Sequence, residues 1–216
     1  MKNGITELVF ILDMSGSMHG LEEDTIGGFN SLICEHAADE GKTYVTTYLF
    51  NSEKRMIHDR LPINEVGKMT DRDYRTGGST ALLDAMGDAI HHIAEIHRYG
   101  RKEDVPEHTI FIITTDGMEN SSTRYTADKV REMVSHEKEK YGWEFIYLAA
   151  NIDAVETAKE YGIDMSRAVN YCHDSVGTAN LYRAAGKALS KMQRHESLAE
   201  DDWRAEIDID YKKRGK

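Results

Sequence analysis

The sequence predicts an α/β fold: a doubly wound, mostly parallel central sheet with one antiparallel edge strand and helices on both faces. Three observations carry this. Leu8–Leu12 and Thr109–Thr115 are apolar runs of strand length, and Trp143–Ala150 is a third, as expected of strands buried on both faces. Segments with apolar residues three and four apart alternate with them, the pattern of strands joined by crossover helices. One pair of strands is instead linked by the short turn Asn51–Ser52–Glu53, which predicts an antiparallel hairpin.

The elements follow in order. After the strand at Leu8–Leu12, Gly20 to about Asp39 reads as a helix with Ile26, Phe29 and Ile33 on one face. Gly27–Gly28 weakens it locally and Gly41 ends it. Thr43–Phe50 is rich in Tyr, Val and Thr, as strands are. Lys54–Leu61 is its more polar hairpin partner, and Lys54, Arg55, His58, Asp59 and Arg60 suit an exposed sheet edge. Pro62–Arg75 is polar and is expected to hold one short helix. The hydroxyl-rich loop Thr76–Thr80 precedes a strong helix bearing Leu83, Met86, Ile90 and Ile93. Arg98–His108 is a charged connector to the second apolar strand. Helices are expected at about Thr126–Tyr141, Asp153–Tyr161 and Ser175–Arg194, with a last short strand at Ala168–Cys172. Beyond Glu196 the chain is acidic at Glu200–Asp202 and basic at Lys212–Lys216. Residues 1–195 are therefore read as one domain and 196–216 as a charged C-terminal tail, an arm or a frayed end.

Composition narrows the function. A formal charge of −11 argues against a general nucleic-acid binder, which needs a basic surface. The first apolar run is too short for a signal-peptide core, and no segment approaches the roughly 18 apolar residues of a membrane span. The two cysteines, Cys34 and Cys172, lie in different expected elements and are read as reduced thiols. A soluble, cytoplasmic, monomeric protein with no nucleic-acid or membrane partner is the expectation.

The chemistry gathers at strand ends. The first strand stops at Asp13, and Ser15 and Ser17 follow at alternate positions, where open α/β sheets place their ligands. The second apolar strand also ends in an acid, Asp116, followed by Gly117. If these strands are neighbours, the two carboxylates emerge side by side and the Thr76–Thr80 loop opens at the same edge. Asp13, Ser15, Ser17, Thr80 and Asp116 then ring one point with hard oxygen donors, which suit Mg²⁺, Mn²⁺ or Ca²⁺ rather than Zn²⁺. Either aspartate alone reads equally as a turn residue or helix N-cap.

Asp13-Met14-Ser15-Gly16-Ser17 resembles the DxSxS signature of von Willebrand factor type A (integrin I-like) domains. Gly78-Ser79-Thr80-Ala81-Leu82 resembles the loop with that family's metal-contacting threonine, and Thr115-Asp116-Gly117 its distal aspartate. Order and spacing match, and the resemblance covers roughly residues 5–195. It implies a Rossmann-like fold with a metal-ion-dependent adhesion site. Ser15, Ser17 and Thr80 would contact a divalent ion, most plainly Mg²⁺, with Mn²⁺ or Ca²⁺ as alternatives. Asp13 and Asp116 would act mainly through water and orient the hydroxyls. The open position would take an exposed Asp or Glu of a partner protein. Mg²⁺ with few direct carboxylates keeps net positive charge, which agrees with that role.

Other features read as structure. His91, His92 and His97 share one helix without the i, i+4 spacing of a helical zinc site and are expected on a solvated face. His19 is a rim or surface residue, and Met14 and Met18 are packing residues. Glu119–Asn120–Ser121–Ser122 is either a plain polar loop or a partner-selecting one. The competing class is a Mg²⁺-dependent haloacid-dehalogenase-like phosphatase, but it needs a general acid where Ser15 stands, and no later lysine is suitably placed. The chain has no G-x-S-x-G elbow and no phosphate-binding P-loop. A binding module rather than an enzyme is the expectation.

Overall fold

Nine residues, Ile5–Asp13, form β1, and every one of them is buried. That is possible only for a central strand covered on both faces, and β1 lies third in a six-stranded sheet ordered β3-β2-β1-β4-β5-β6. The computed structural model describes residues 4–39, 42–198 and 201–215. The expected helix stop at Gly41 and the tail residues Glu200 and Lys216 lie outside them. The other strands are β2 (Lys42–Phe50), β3 (Lys54–Pro62), β4 (His108–Thr115), β5 (Glu144–Ala149) and β6 (Ala168–Asn170). All neighbours pair in parallel except β2 and β3, so the sheet is mostly parallel with one antiparallel edge.

Alternation along β1 divides the core in two. Leu8, Phe10 and Leu12 face α1 (Glu22–His36), α5 (Ser175–Gln193) and α6 (Ala205–Arg214). Val9 and Ile11 face α2 (Leu82–Tyr99), α3 (Ala127–Tyr141) and α4 (Ala154–Glu160). Each such side chain, fully buried, contributes about 1.5–3 kcal/mol of transfer free energy. Helix α1 runs unbroken through Gly27–Gly28. Gly28 is needed there, because a Cβ would come within 2.1 Å of the Tyr182 ring on α5. A glycine costs a helix interior roughly 1 kcal/mol against alanine, and here it allows two helices to close on one another.

Several expectations are corrected. Pro62–Arg75 holds only a three-residue 3-10 turn at Ile63–Glu65. On the edge strand Lys54, Arg55 and Asp59 are exposed, but His58 is buried and stacked on Phe29. Arg60 reaches back to the fully buried Glu7, Nε to Oε2 2.7 Å, which offsets the cost of that core carboxylate. His97 is not on a solvated face: it packs edge-on to Trp143 and lies 3.5 Å from Glu7.

Residues 201–214, expected from sequence as part of a charged tail, carry regular structure. A 3-10 turn at Asp201–Trp203 leads into α6, with Trp203 and Ile207 buried against α5 and the sheet. Trp203, Ile207 and Tyr211 recur every fourth residue, an apolar stripe that the surrounding charge obscures. Arg214 pairs with Asp174 and Asp210, fixing the end of α6 to the start of α5.

Candidate functional site

The strand order reverses between β1 and β4: the chain leaves β1 toward β2 and returns through α2 to β4 on the other side. The crevice at such a switch point is where open α/β sheets present their loops. Asp13 ends β1 there, and Asp116 follows Thr115, the last residue of the neighbouring β4, at the same edge.

The loop after β1 is built on the Asp13 carboxylate, which is fully buried. Its Oδ1 accepts the Ser15 N–H at 2.7 Å, and its Oδ2 accepts the Thr115 hydroxyl at 2.7 Å. The Tyr74 hydroxyl donates to the Asp13 carbonyl. Burial pushes the Asp13 carboxyl above its ordinary pKa. The bonds from Ser15 and Thr115 oppose that shift, and the Asp116 charge adds to it.

The second loop is stitched to the first through the backbone, with Gly16 N–H to Gly78 O at 3.0 Å and Gly77 N–H to Met14 O at 2.9 Å. Gly77 and Gly78 both adopt positive φ, which glycine tolerates without strain. Thr80 is held from the far side, since its N–H donates to Asn120 Oδ1 at 2.9 Å and its carbonyl accepts the Asn120 N–H at 3.0 Å.

Glu119–Ser122, the polar loop of the sequence reading, also caps α2. The N-cap Ala81 has no side-chain acceptor. Glu119 Oε2 accepts the Leu83 N–H and Ser122 Oγ the Asp84 N–H instead. Asp84 reciprocates, accepting the N–H groups of Thr123, Arg124 and Tyr125.

All five sequence-selected residues meet at this edge. Ser15 Oγ lies 3.1 Å from Ser17 Oγ, and Ser17 Oγ donates to Asp116 Oδ1 at 2.5 Å. A Cβ built on Gly117 would lie 3.4 Å from Ser17 Oγ and 3.9 Å from Thr80 Oγ1, so the two hydroxyls flank the space that glycine leaves open. Asp13, Ser15, Thr80 and Asp116 are buried while Ser17 is exposed, which leaves the cluster reachable from solvent on the Ser17 side.

The donor set fits a hard divalent cation: oxygen only, with two carboxylates and a buried oxygen, Asp116 Oδ2, that makes no hydrogen bond among the described residues. Nε2 of His173 lies 2.9 Å from that oxygen, off the line of a hydrogen bond. The sequence reading missed His173. It follows β6 at the same sheet edge as Asp13 and Asp116, and strand-end position was the available signal. Its turn packs on the start of α5 because Gly177 is there: a Cβ would fall 1.8 Å from the Cys172 carbonyl oxygen.

No protein-family model and no curated protein matches the sequence. Solved structures do. The von Willebrand factor domain of the type V pili tip protein Mfa5 from Porphyromonas gingivalis superposes with a TM-score of 0.61 at 10% identity, over 86% of this chain and 95% of that one. Manganese-loaded Plasmodium vivax TRAP protein gives 0.56 at 17% identity, over 84% and 73%. A von Willebrand factor type A protein from Catenulispora acidiphila gives 0.56 at 13% identity, over 84% and 41%. The chain spans less than two thirds, 41% to 63%, of several of the structures it matches. The identities are too low to carry function. With the mostly parallel sheet, its antiparallel edge and helices on both faces, they establish that this chain has the von Willebrand factor type A fold.

Proposed function

We propose that this protein is a binding module that captures an Asp or Glu side chain of a partner protein through a divalent ion held by Asp13, Ser15, Ser17, Thr80 and Asp116. The observation that carries this reading is the gathering of three hydroxyls beside Asp116 at a solvent-reachable strand end: Ser17 bonds Asp116, Ser15 lies against Ser17, and Thr80 flanks the same space at Gly117. Asp13 spends both oxygens on Ser15 and Thr115, so its part is to shape the loop and supply charge. Asp116 has an oxygen to offer, and the hydroxyls of Ser15, Ser17 and Thr80 complete the donor set. The ion, once bound, supplies a Lewis-acidic position for an incoming carboxylate. Mg²⁺ suits the set best, with Mn²⁺ or Ca²⁺ as alternatives, and the manganese carried by the structurally similar TRAP protein is in keeping with it.

The phosphatase reading has no support. The position two after Asp13 is the hydroxyl of Ser15, which cannot serve as general acid, and the fold likeness is to von Willebrand factor type A structures. A monomer working in the cytoplasm belongs to the same proposal; the unpaired thiols of Cys34 and Cys172 are in keeping with a reducing compartment.

Calorimetric titration of chelator-stripped protein with Mg²⁺, Mn²⁺ and Ca²⁺, repeated on Asp116→Ala, tests it. One site, lost in the variant, is expected. Partner capture from cell extract should then require the metal. Retention of the partner in excess chelator overturns the mechanism.

A further inference from the structure

At the opposite end of β4 three metal-binding side chains converge. His108 opens the strand, Glu107 precedes it, and His195 lies 87 residues beyond His108, just past the end of α5. His108 Nε2 is 2.7 Å from His195 Nδ1, His195 Nδ1 is 3.3 Å from Glu107 Oε1, and His108 Nε2 is 3.8 Å from that same oxygen. These are the atoms through which imidazole and carboxylate bind metals.

The spacing fits one ion in particular. Zinc bound tetrahedrally at about 2.0–2.1 Å from N and O ligands sets ligand atoms roughly 3.3 Å apart. The three separations bracket that edge length: the His108–His195 pair has to open by about 0.6 Å and the His108–Glu107 pair to close by about 0.5 Å. His195 can supply that movement, because its side chain is 48% exposed. Two imidazoles and one carboxylate select Zn²⁺ over Mg²⁺ or Ca²⁺, which want oxygen alone.

The backbone at His195 argues against a fortuitous contact. Helix α5 ends with Arg194 as its C-cap, and His195 follows at φ 59°, its N–H donating to Met192 O while the Glu196 N–H reaches Lys191 O. Helices usually place glycine at this left-handed position, where a side chain carries a conformational cost. Here that position turns an imidazole toward His108 and Glu107.

We propose that Glu107, His108 and His195 form a zinc site of three protein ligands with the fourth position open to water. It lies at the opposite end of β4 from the Asp13–Asp116 edge and is independent of it. The bound ion joins the C-terminal end of α5 to the N-terminal end of β4.

The test uses the full chain, stripped with chelator and held in excess Mg²⁺. Titration with Co²⁺ should give the intense visible bands of a tetrahedral complex at one ion per chain, and zinc should abolish them. His195→Gly is the informative variant, because glycine suits the left-handed backbone and the helix cap is kept. It should remove the bands and weaken zinc binding at least tenfold, with metal-free thermal unfolding unchanged; His108→Gln should do the same. Asp13→Ala should leave the bands intact. Unchanged zinc affinity in both histidine variants, octahedral-type weak bands, or bands lost in Asp13→Ala would each overturn the site.

Discussion

Thr115 Oγ1 donates a 2.7 Å hydrogen bond to Asp13 Oδ2, joining the C-terminal ends of the two central strands. Asp13 Oδ1 accepts the Ser15 N–H, so each oxygen of this carboxylate already holds one hydrogen bond. The negative charge is nonetheless fully buried. Among the described residues no cationic side chain is hydrogen-bonded to it, and the two donors that hold it are neutral. A cation in the adjacent cluster would offset the cost of that burial.

Asp13→Asn should therefore separate stability from metal binding. The folded pKa of Asp13 is raised, first by burial and further by Asp116, against opposing hydrogen bonds. A raised carboxyl contributes stability that is full below the unfolded value of about 3.9 and lost as pH rises through the folded value. At neutral pH the ionised group thus works against folding. The amide keeps the Ser15 bond, and the Thr115 hydroxyl can turn to Gly117 O, 3.2 Å away. Thermal unfolding in chelator should show the variant equal to or above wild type, while calorimetry shows Mg²⁺ binding lost. A variant that binds Mg²⁺ normally would remove Asp13 from the site.

Gly117→Ala tests the cradle without touching a donor. The new methyl would sit 3.4 Å from Ser17 Oγ and 3.9 Å from Thr80 Oγ1, in the space an ion would share with those hydroxyls. Backbone conformation is no obstacle, because Gly117 is not among the positive-φ glycines. Metal affinity should fall at least tenfold, about 1.4 kcal/mol. Stability in chelator should stay within about 0.5 kcal/mol, as for substitutions that leave core and caps intact. Equal affinities in the two proteins would place the ion elsewhere.

The sheet and the five-residue cluster were legible because their signals are local. Apolar runs fixed Leu8–Leu12 and Thr109–Thr115 as central strands, and an acid at the end of each placed the edge. What could not be read depends on distant pairings. The capping of α2 by Glu119 and Ser122, the burial of Glu7 beneath Arg60 and the meeting of His108 with His195 join residues far apart in the chain. The α6 stripe is a different case: its four-residue period was present, but charge at most intervening positions concealed it.

Asp84 should make stability fall in acid. Burial alone would raise its carboxyl, but the N–H groups of Thr123, Tyr125 and Arg124, with the Arg124 charge, outweigh that and hold it below its ordinary value. A depressed carboxyl contributes stability that is present above the unfolded value of about 3.9 and lost as pH falls through the lower folded value. Asp84→Asn should cost about 1–3 kcal/mol at pH 7, the range for hydrogen bonds to a charged, largely buried acceptor. Urea denaturation across pH should show the gap between variant and wild type closing below about pH 4. A gap that persists undiminished in acid would mean the loss is one of packing.

Trp203 decides whether the C-terminal segment is part of the folded unit. Its ring is 1% exposed and packs in the same core cluster as Leu189, Met192 and Ile207. Among the described residues its indole N–H is buried without a hydrogen-bond partner, so apolar contact is what holds the ring. Trp203→Ala should cost about 3–5 kcal/mol, the usual loss for an aromatic removed from a core. Trp203→Phe should cost under about 1.5 kcal/mol, because it keeps most of the packing and removes the unmet donor. Chemical denaturation of the full chain measures both. An arm lying free in solvent would give changes within about 0.5 kcal/mol for either variant. The ordering Ala far below Phe, with Phe near wild type, is the signature of a ring held by shape rather than by its polar atom. It would make α6 a structural layer over α5 rather than an appendage.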